Sequence, residues 1–106
     1  MLRKTGVKTI SAGNSTTWCI DNNNDLYGCG NNYYGQQGNG TSGSGTDVLT
    51  FTKRASNVKD ILYTGDVTWY MNESNNVYGC GYNLYGQQGN GESGSNKNVT
   101  SFTKRA

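Results

Sequence analysis

The sequence predicts an all-β protein made of two four-stranded units. Three observations carry this. The chain repeats itself at a spacing of 51 residues: residues 7–55 fall on 58–106 without a gap, and 27 of those 49 pairs are identical. No stretch keeps an apolar period of 3.6 over ten residues, and the many Gly, Asn and Thr oppose a helix. Each copy instead carries four short β-prone runs separated by turn-forming residues. A fixed period of this length marks a solenoid, a propeller or another array of units.

The first run is 7–12, with its twin at 58–63; both open on Val-Lys and carry an Ile three residues on, at Ile10 and Ile61. The second run is 16–20, with its twin at 67–71. Here Trp18-Cys19-Ile20 and Trp69-Tyr70-Met71 are apolar at consecutive positions. A strand with one wet face would alternate, so these strands are expected to be covered on both faces. Asn22-Asn23-Asn24-Asp25 and Glu73-Ser74-Asn75-Asn76 follow. Asn and Asp tolerate left-handed turn geometry, so each stretch reads as a tight hairpin turn. The third run is 26–29, or 77–80. Gly28 and Gly30 sit in this strand-like stretch, and glycine inside a strand is expected where another backbone comes close. The long segment 30–47 carries the turn signal Asn39-Gly40, repeated as Asn90-Gly91. The fourth run, 48–53 or 99–104, leads into the shared ending Phe-Thr-Lys-Arg-Ala. The organisation is therefore a lead (1–6), a first blade-like unit (7–55), a link (56–57) and a second unit (58–106). Small four-stranded sheets sandwiched between neighbours are propeller blades. Trp18, Ile20, Gly28 and Cys29, with Trp69, Met71, Gly79 and Cys80, are the residues expected to pack between blades.

Val7-Lys8-x-Ile10, then Tyr27-Gly28-Cys29-Gly30-x-Asn32-x-Tyr34-Gly35-Gln36-Gln37-Gly38-Asn39-Gly40, resemble the regulator of chromosome condensation repeat. The stretch from Tyr78 to Gly91 repeats the pattern. The resemblance covers nearly the whole chain, twice. It differs in carrying Cys29 and Cys80 where that family usually has Trp. The resemblance implies a β-propeller, commonly seven-bladed, and protein–protein interaction; such propellers variously act on small GTPases, serve in ubiquitin ligases or inhibit enzymes.

Two blades do not close a propeller, which usually holds four to eight. Each end blade would keep one apolar face without a neighbour, and stacked repeats bury their core only through neighbours. The expected partner is the chain itself. A head-to-tail contact closes a ring when the rotation permits, so three chains would give six blades and four would give eight. The expected function is a non-catalytic, self-assembling propeller scaffold that can bind proteins through its loops. The alternative is a multivalent, lectin-like carbohydrate binder.

Composition narrows the classes. The chain has 106 residues, a net charge of +2, no His and no Pro. Without His, the usual acid–base chemistry is absent, and no carboxylate recurs at twin positions, so no enzyme is expected. A charge of +2 is a weak footprint for nucleic acid. No apolar run approaches the roughly 18 residues of a membrane span. No cofactor or metal is expected: Cys19, Cys29 and Cys80 form no Cys-x-x-Cys, and all three read as buried small apolar residues. Their odd number and the polar residues after Met1-Leu2-Arg3-Lys4 point to the cytoplasm.

Two surfaces are candidates for binding. The loop residues Asn31, Tyr33 and Tyr34, with Tyr82, Leu84 and Tyr85, offer aromatic and amide groups suited to a protein or a sugar. Lys53-Arg54 and Lys104-Arg105 would form a basic rim, or guard an outer strand against edge pairing.

Overall fold

The computed structural model describes residues 2–106. Eight strands follow one another: β1 (Val7–Gly13), β2 (Thr16–Asp21), β3 (Leu26–Gly30), β4 (Val48–Ala55), β5 (Val58–Thr64), β6 (Val67–Asn72), β7 (Val77–Gly81) and β8 (Val99–Lys104). They form two antiparallel sheets, β1-β2-β3-β4 and β5-β6-β7-β8, each a simple meander. These are two propeller blades, and every strand start read from the sequence agrees with the structure.

The hairpin turns of the blades show how the repeat tolerates change. In blade 1, Asp21 Oδ1 accepts from the backbone N–H of Asn23 and Asp25 at 2.9 and 3.0 Å. In blade 2, Asn72 Oδ1 accepts from Ser74 and Asn76 at 3.0 and 2.9 Å. An amide and a carboxylate thus make the same turn. Asn24 and Asn75 sit in it with φ of 64° and 67°, a region Asn enters more readily than most residues.

Strand geometry sends alternate side chains to opposite faces. In blade 1, Ser11, Trp18 and Ile20 point forward, toward blade 2. Ile10, Cys19 and Phe51 point to the rear, where they line a recess with Arg3, Lys4 and Val7. In blade 2, Ile61, Tyr63 and Tyr70 point to the rear, toward blade 1. Leu62, Trp69 and Met71 point forward, into a recess of about 200 Å³. The main core is the joint between the blades: Trp18, Ile20 and Leu26 against Val58, Ile61 and Tyr63, with Ala55, Tyr70 and Phe102 around them. Phe102 meets Trp18 edge-on at 5.8 Å and Tyr70 at 4.8 Å.

Of the strand glycines, Gly30 meets the expectation, since a Cβ there would stand 2.3 Å from the Ser15 carbonyl oxygen in the turn between β1 and β2, whereas Gly28 has a different role. Gly28 pairs with Trp18 across the hairpin, and a Cβ at Gly28 would stand 2.4 Å from the Trp18 ring. Gly79 bears the same relation to Trp69. The close neighbour is an indole of the same sheet lying flat over the glycine, not a backbone from the next blade.

Candidate functional site

The candidate site is the pair of blade faces together with the loops that reach across them. In each blade the loop after the third strand is folded around one buried asparagine. Asn32 Nδ2 donates to the Thr41 carbonyl at 3.1 Å and to Thr41 Oγ1 at 3.0 Å, while its Oδ1 accepts from Gln37 N–H at 2.9 Å. Asn83 repeats this with Lys97 O at 3.0 Å and Gln88 N–H at 3.0 Å. Gln37 Nε2 and Gln88 Nε2 then donate to the carbonyls of Cys29 and Cys80, at 3.0 and 2.9 Å. Gln36 Oε1 and Gln87 Oε1 brace the loop by accepting from the N–H of Tyr34 and Tyr85. Asn32, Asn83, Gln37 and Gln88 were not singled out by sequence reasoning. Their identity in both copies was the available signal, shared with the unbroken identical run from Tyr34 to Gly40 and from Tyr85 to Gly91.

Blade 1's loop leans onto blade 2. Gly40 N–H donates to Thr100 O at 2.7 Å. Asn39 forms an antiparallel bridge with Ser101. Thr68 Oγ1 donates to Gln36 O at 2.7 Å. At Gly38, where φ is +67°, a Cβ would sit 2.6 Å from the Phe102 ring and 3.2 Å from Cys80 Sγ. Blade 2's matching loop leans on nothing: a Cβ at Gly89 or Gly91 would meet open space.

The same contrast runs through the apolar positions. Val58 is 0% exposed and Ile61 6%, whereas their twins Val7 and Ile10 are 39% and 66% exposed. Of the residues expected between blades, Trp18, Ile20 and Cys80 lie at the joint. Trp69 and Met71 line the uncovered forward face of blade 2, and Cys29 lines a rear recess of blade 1 with Thr17 and Phe51. All eight positions are blade-face or under-indole positions, but two blades make a single joint, so half of the faces are bare. Cys19, Cys29 and Cys80 are free thiols. Burial pushes all three thiols up from their ordinary pKa, most strongly Cys80, which is enclosed beneath Gln36 O.

The loop tyrosines come together. Tyr33 and Tyr34 meet at 5.1 Å, Tyr34 and Tyr82 at 4.6 Å across the blade joint, and Tyr82 and Tyr85 at 6.5 Å, each pair edge-to-face. Tyr33 and Tyr85, at 53% and 82% exposure, are the open ends of this arc. Partial burial, then the neighbouring Tyr85 and Tyr34 and the Asp66 carboxylate, raise the Tyr82 phenol. Asn31 flanks the arc with its Oδ1 taken by Tyr33 N–H, and Leu84 is half-buried beside it.

The basic rim is reduced to its lysines. Arg54 Nε donates to Gln37 O at 3.0 Å and Arg105 Nε to Gln88 O at 2.8 Å, so both arginines anchor their own loops. Lys53 and Lys104 remain exposed, and Lys53 stands 3.4 Å from Asp25. Among the described residues no group of three His, Cys, Asp or Glu gathers to hold a metal ion.

Residues 7–36 match the family model described as the Regulator of chromosome condensation (RCC1) repeat. No curated protein matches the chain by sequence. Solved structures do match its fold. Human WBSCR16 superposes with a TM-score of 0.82 at 20% identity, over 100% of this chain and 27% of that one. Yeast RCC1 (Prp20), crystallised with Kap60 bound, gives 0.81 at 18% identity, over 94% and 23%. Prp20p from Saccharomyces cerevisiae, described with its binding properties to Gsp1p and histones, gives 0.74 at 20% identity, over 94% and 26%. The chain thus spans about a quarter of the length of these structures. The first unit carries the regulator of chromosome condensation repeat, and both units have the propeller-blade fold of those proteins.

Proposed function

We propose that this pair of regulator-of-chromosome-condensation-type blades is a non-catalytic building block that joins head to tail with copies of itself to complete a propeller. The observation that carries this is the equivalence of the bare and covered faces. The bare forward face of blade 2, with Trp69, Met71 and Val77, is the twin of the covered face that presents Trp18, Ile20 and Leu26. The bare rear face of blade 1, with Val7, Ile10 and Phe51, is the twin of the covered face that presents Val58, Ile61 and Phe102. The joint inside the chain is therefore a template for a joint between copies.

The differences between the copies are complementary at one place. Inside the chain a small residue meets a large one: Ser11 Oγ accepts from Tyr63 N–H at 3.3 Å. At the twin positions the sizes are exchanged, with Leu62 facing forward and Ala12 to the rear. Such an exchange conserves volume across the joint, which tightly packed interiors require.

A contact of this type is heterologous and closes only as a ring. Three or four chains satisfy the usual four to eight blades. Light scattering and native mass measurement across a dilution series test this. The expected masses are three or four times 11.5 kDa. A well-folded protein that stays at the single-chain mass at every concentration would refute it.

The tyrosine arc favours a second reading, carbohydrate binding at the loop end. A ring of copies would repeat the arc and so raise weak single-site affinity through multivalency. Glycan-array binding that free sugar competes away, and that Tyr33→Ala or Tyr82→Ala abolishes, would support it. Binding to an acidic partner at the lysine rim would instead weaken steeply with salt.

A further inference from the structure

Resting on the self-assembly reading, we infer that the start of the lead segment, residues 2–4, occupies the place on the rear face of blade 1 that the end of the preceding copy's last strand must take. The lead would then restrain ring closure.

The repeat spacing makes the comparison direct. Moving on by 51 residues, Leu2-Arg3-Lys4-Thr5-Gly6 falls on Lys53-Arg54-Ala55-Ser56-Asn57. That second segment is the end of β4 and the link into blade 2. The two segments run alike. Gly6 O accepts from Asn22 N–H at 2.7 Å, as Asn57 O accepts from Glu73 N–H at 2.8 Å. Arg3 lines the recess that holds Thr17 and Cys29, and Arg54 holds Gln37 O, between the Gln36 carbonyl and Gly38 that lie on Cys80, the twin of Cys29. Ala55 packs on the core of the joint. Its counterpart Lys4 lies over the Tyr27 ring, 3.9 Å from the centroid, and 3.6 Å from Asp21.

A joint between copies has a second claimant for this space. The segment equivalent to Arg54-Ala55 on the preceding copy is Arg105-Ala106, the end of its own blade 2. Ala106 O is already bonded to Val77 N–H there. Within the chain one strand end, Arg54-Ala55, fills the position. Between copies, Arg105-Ala106 of one chain and Arg3-Lys4 of the next would both fall on it. Close-packed interiors do not hold two segments in one place, so the lead has to lift away. What it leaves is a part-exposed ion pair and a cation–π contact, each modest in strength.

The test is a comparison of the full chain with a form lacking residues 2–5 and with the double variant Arg3→Ala, Lys4→Ala. Sedimentation across a dilution series reads the association constant, and near-ultraviolet circular dichroism checks the fold. Expected is association about three- to tenfold tighter for the shortened chain, with the double variant shifted the same way, because the contacts to be broken are a few modest ones. If all forms associate, and the altered ones equally or more weakly, self-assembly stands and the lead is no restraint. If no form associates, the self-assembly reading fails and this inference falls with it. Should the shortened chain misfold, the double variant decides between these outcomes.

Discussion

Ile10 and Ile61 are the same residue at the same position of the repeat, yet Ile61 is 6% exposed and Ile10 66%. Ile61 packs on Trp18 and Ile20 in the joint between blades. Ile10 faces outward from the rear of blade 1 with Phe51 and Cys19. Truncating Ile61 to Ala is expected to cost about 2–4 kcal/mol, as for other buried aliphatic residues. Ile10→Ala should leave the stability of the dilute single chain nearly unchanged and weaken association. Urea unfolding at low concentration and light scattering at high concentration separate the two effects. Equal losses of single-chain stability would contradict the asymmetry.

Gly38 and Gly89 offer a matched pair. Both have positive φ, +67° and +65°, so alanine at either carries a backbone strain of roughly 1–2 kcal/mol. Only Gly38 also faces a ring, at 2.6 Å from its would-be Cβ. Gly38→Ala should therefore destabilise the chain by about 2–4 kcal/mol. Gly89→Ala should show the backbone strain alone and, at high concentration, block association, because Phe51 of the next copy would meet the new methyl. Thermal melting combined with native mass measurement checks both.

Asn32 is buried with its amide fully engaged in the loop. Replacing it by Leu would strand the buried Gln37 N–H away from water, at about 1–3 kcal/mol for the unpaired group, and would release Thr41 from the loop. We expect the first loop to open and the contacts of Gly40 and Asn39 with β8 to be lost. Amide exchange at Gly40, whose N–H bonds Thr100 O, should accelerate.

Asp21 supplies the pH dependence. Hydrogen bonds from the N–H of Asp25 and Asn23, helped by Lys4, hold its carboxyl below the usual carboxylate range despite burial. A folded-state pKa below the unfolded one gives stability that is present above the unfolded value and lost as pH falls through the folded one. Acid should thus loosen the first hairpin below the ordinary carboxylate range. Asp21→Asn should keep the turn, as Asn72 does in blade 2, and remove that part of the acid sensitivity. An acid titration followed by circular dichroism distinguishes the two proteins.

The thiols report on the bare faces. Cys80 is fully buried at the joint, while Cys29 is only half-buried on the rear of blade 1. Alkylation of the dilute protein should reach Cys29 long before Cys80, and association should slow labelling at Cys29. Equal protection at both sites in the dilute chain would contradict the open rear face.

Much of this protein was legible in one dimension. The 51-residue spacing, the consecutive apolar triplets Trp18-Cys19-Ile20 and Trp69-Tyr70-Met71, and the Asn-rich turns determine the eight strands and their meander order, because these are local preferences of the backbone. What lies between the copies was not legible. Gly28 reads as room for a neighbouring backbone, and only the cross-strand pairing reveals that Trp18 of its own sheet covers it. Arg54 and Arg105 read as a charged rim, yet their guanidinium groups turn in to loop carbonyls. The arc from Tyr33 to Tyr85 exists only once the two sheets are stacked. Identical residues such as Ile10 and Ile61 acquire opposite surroundings because a repeat encodes the shape of a face, while burial depends on whether another blade stands against it.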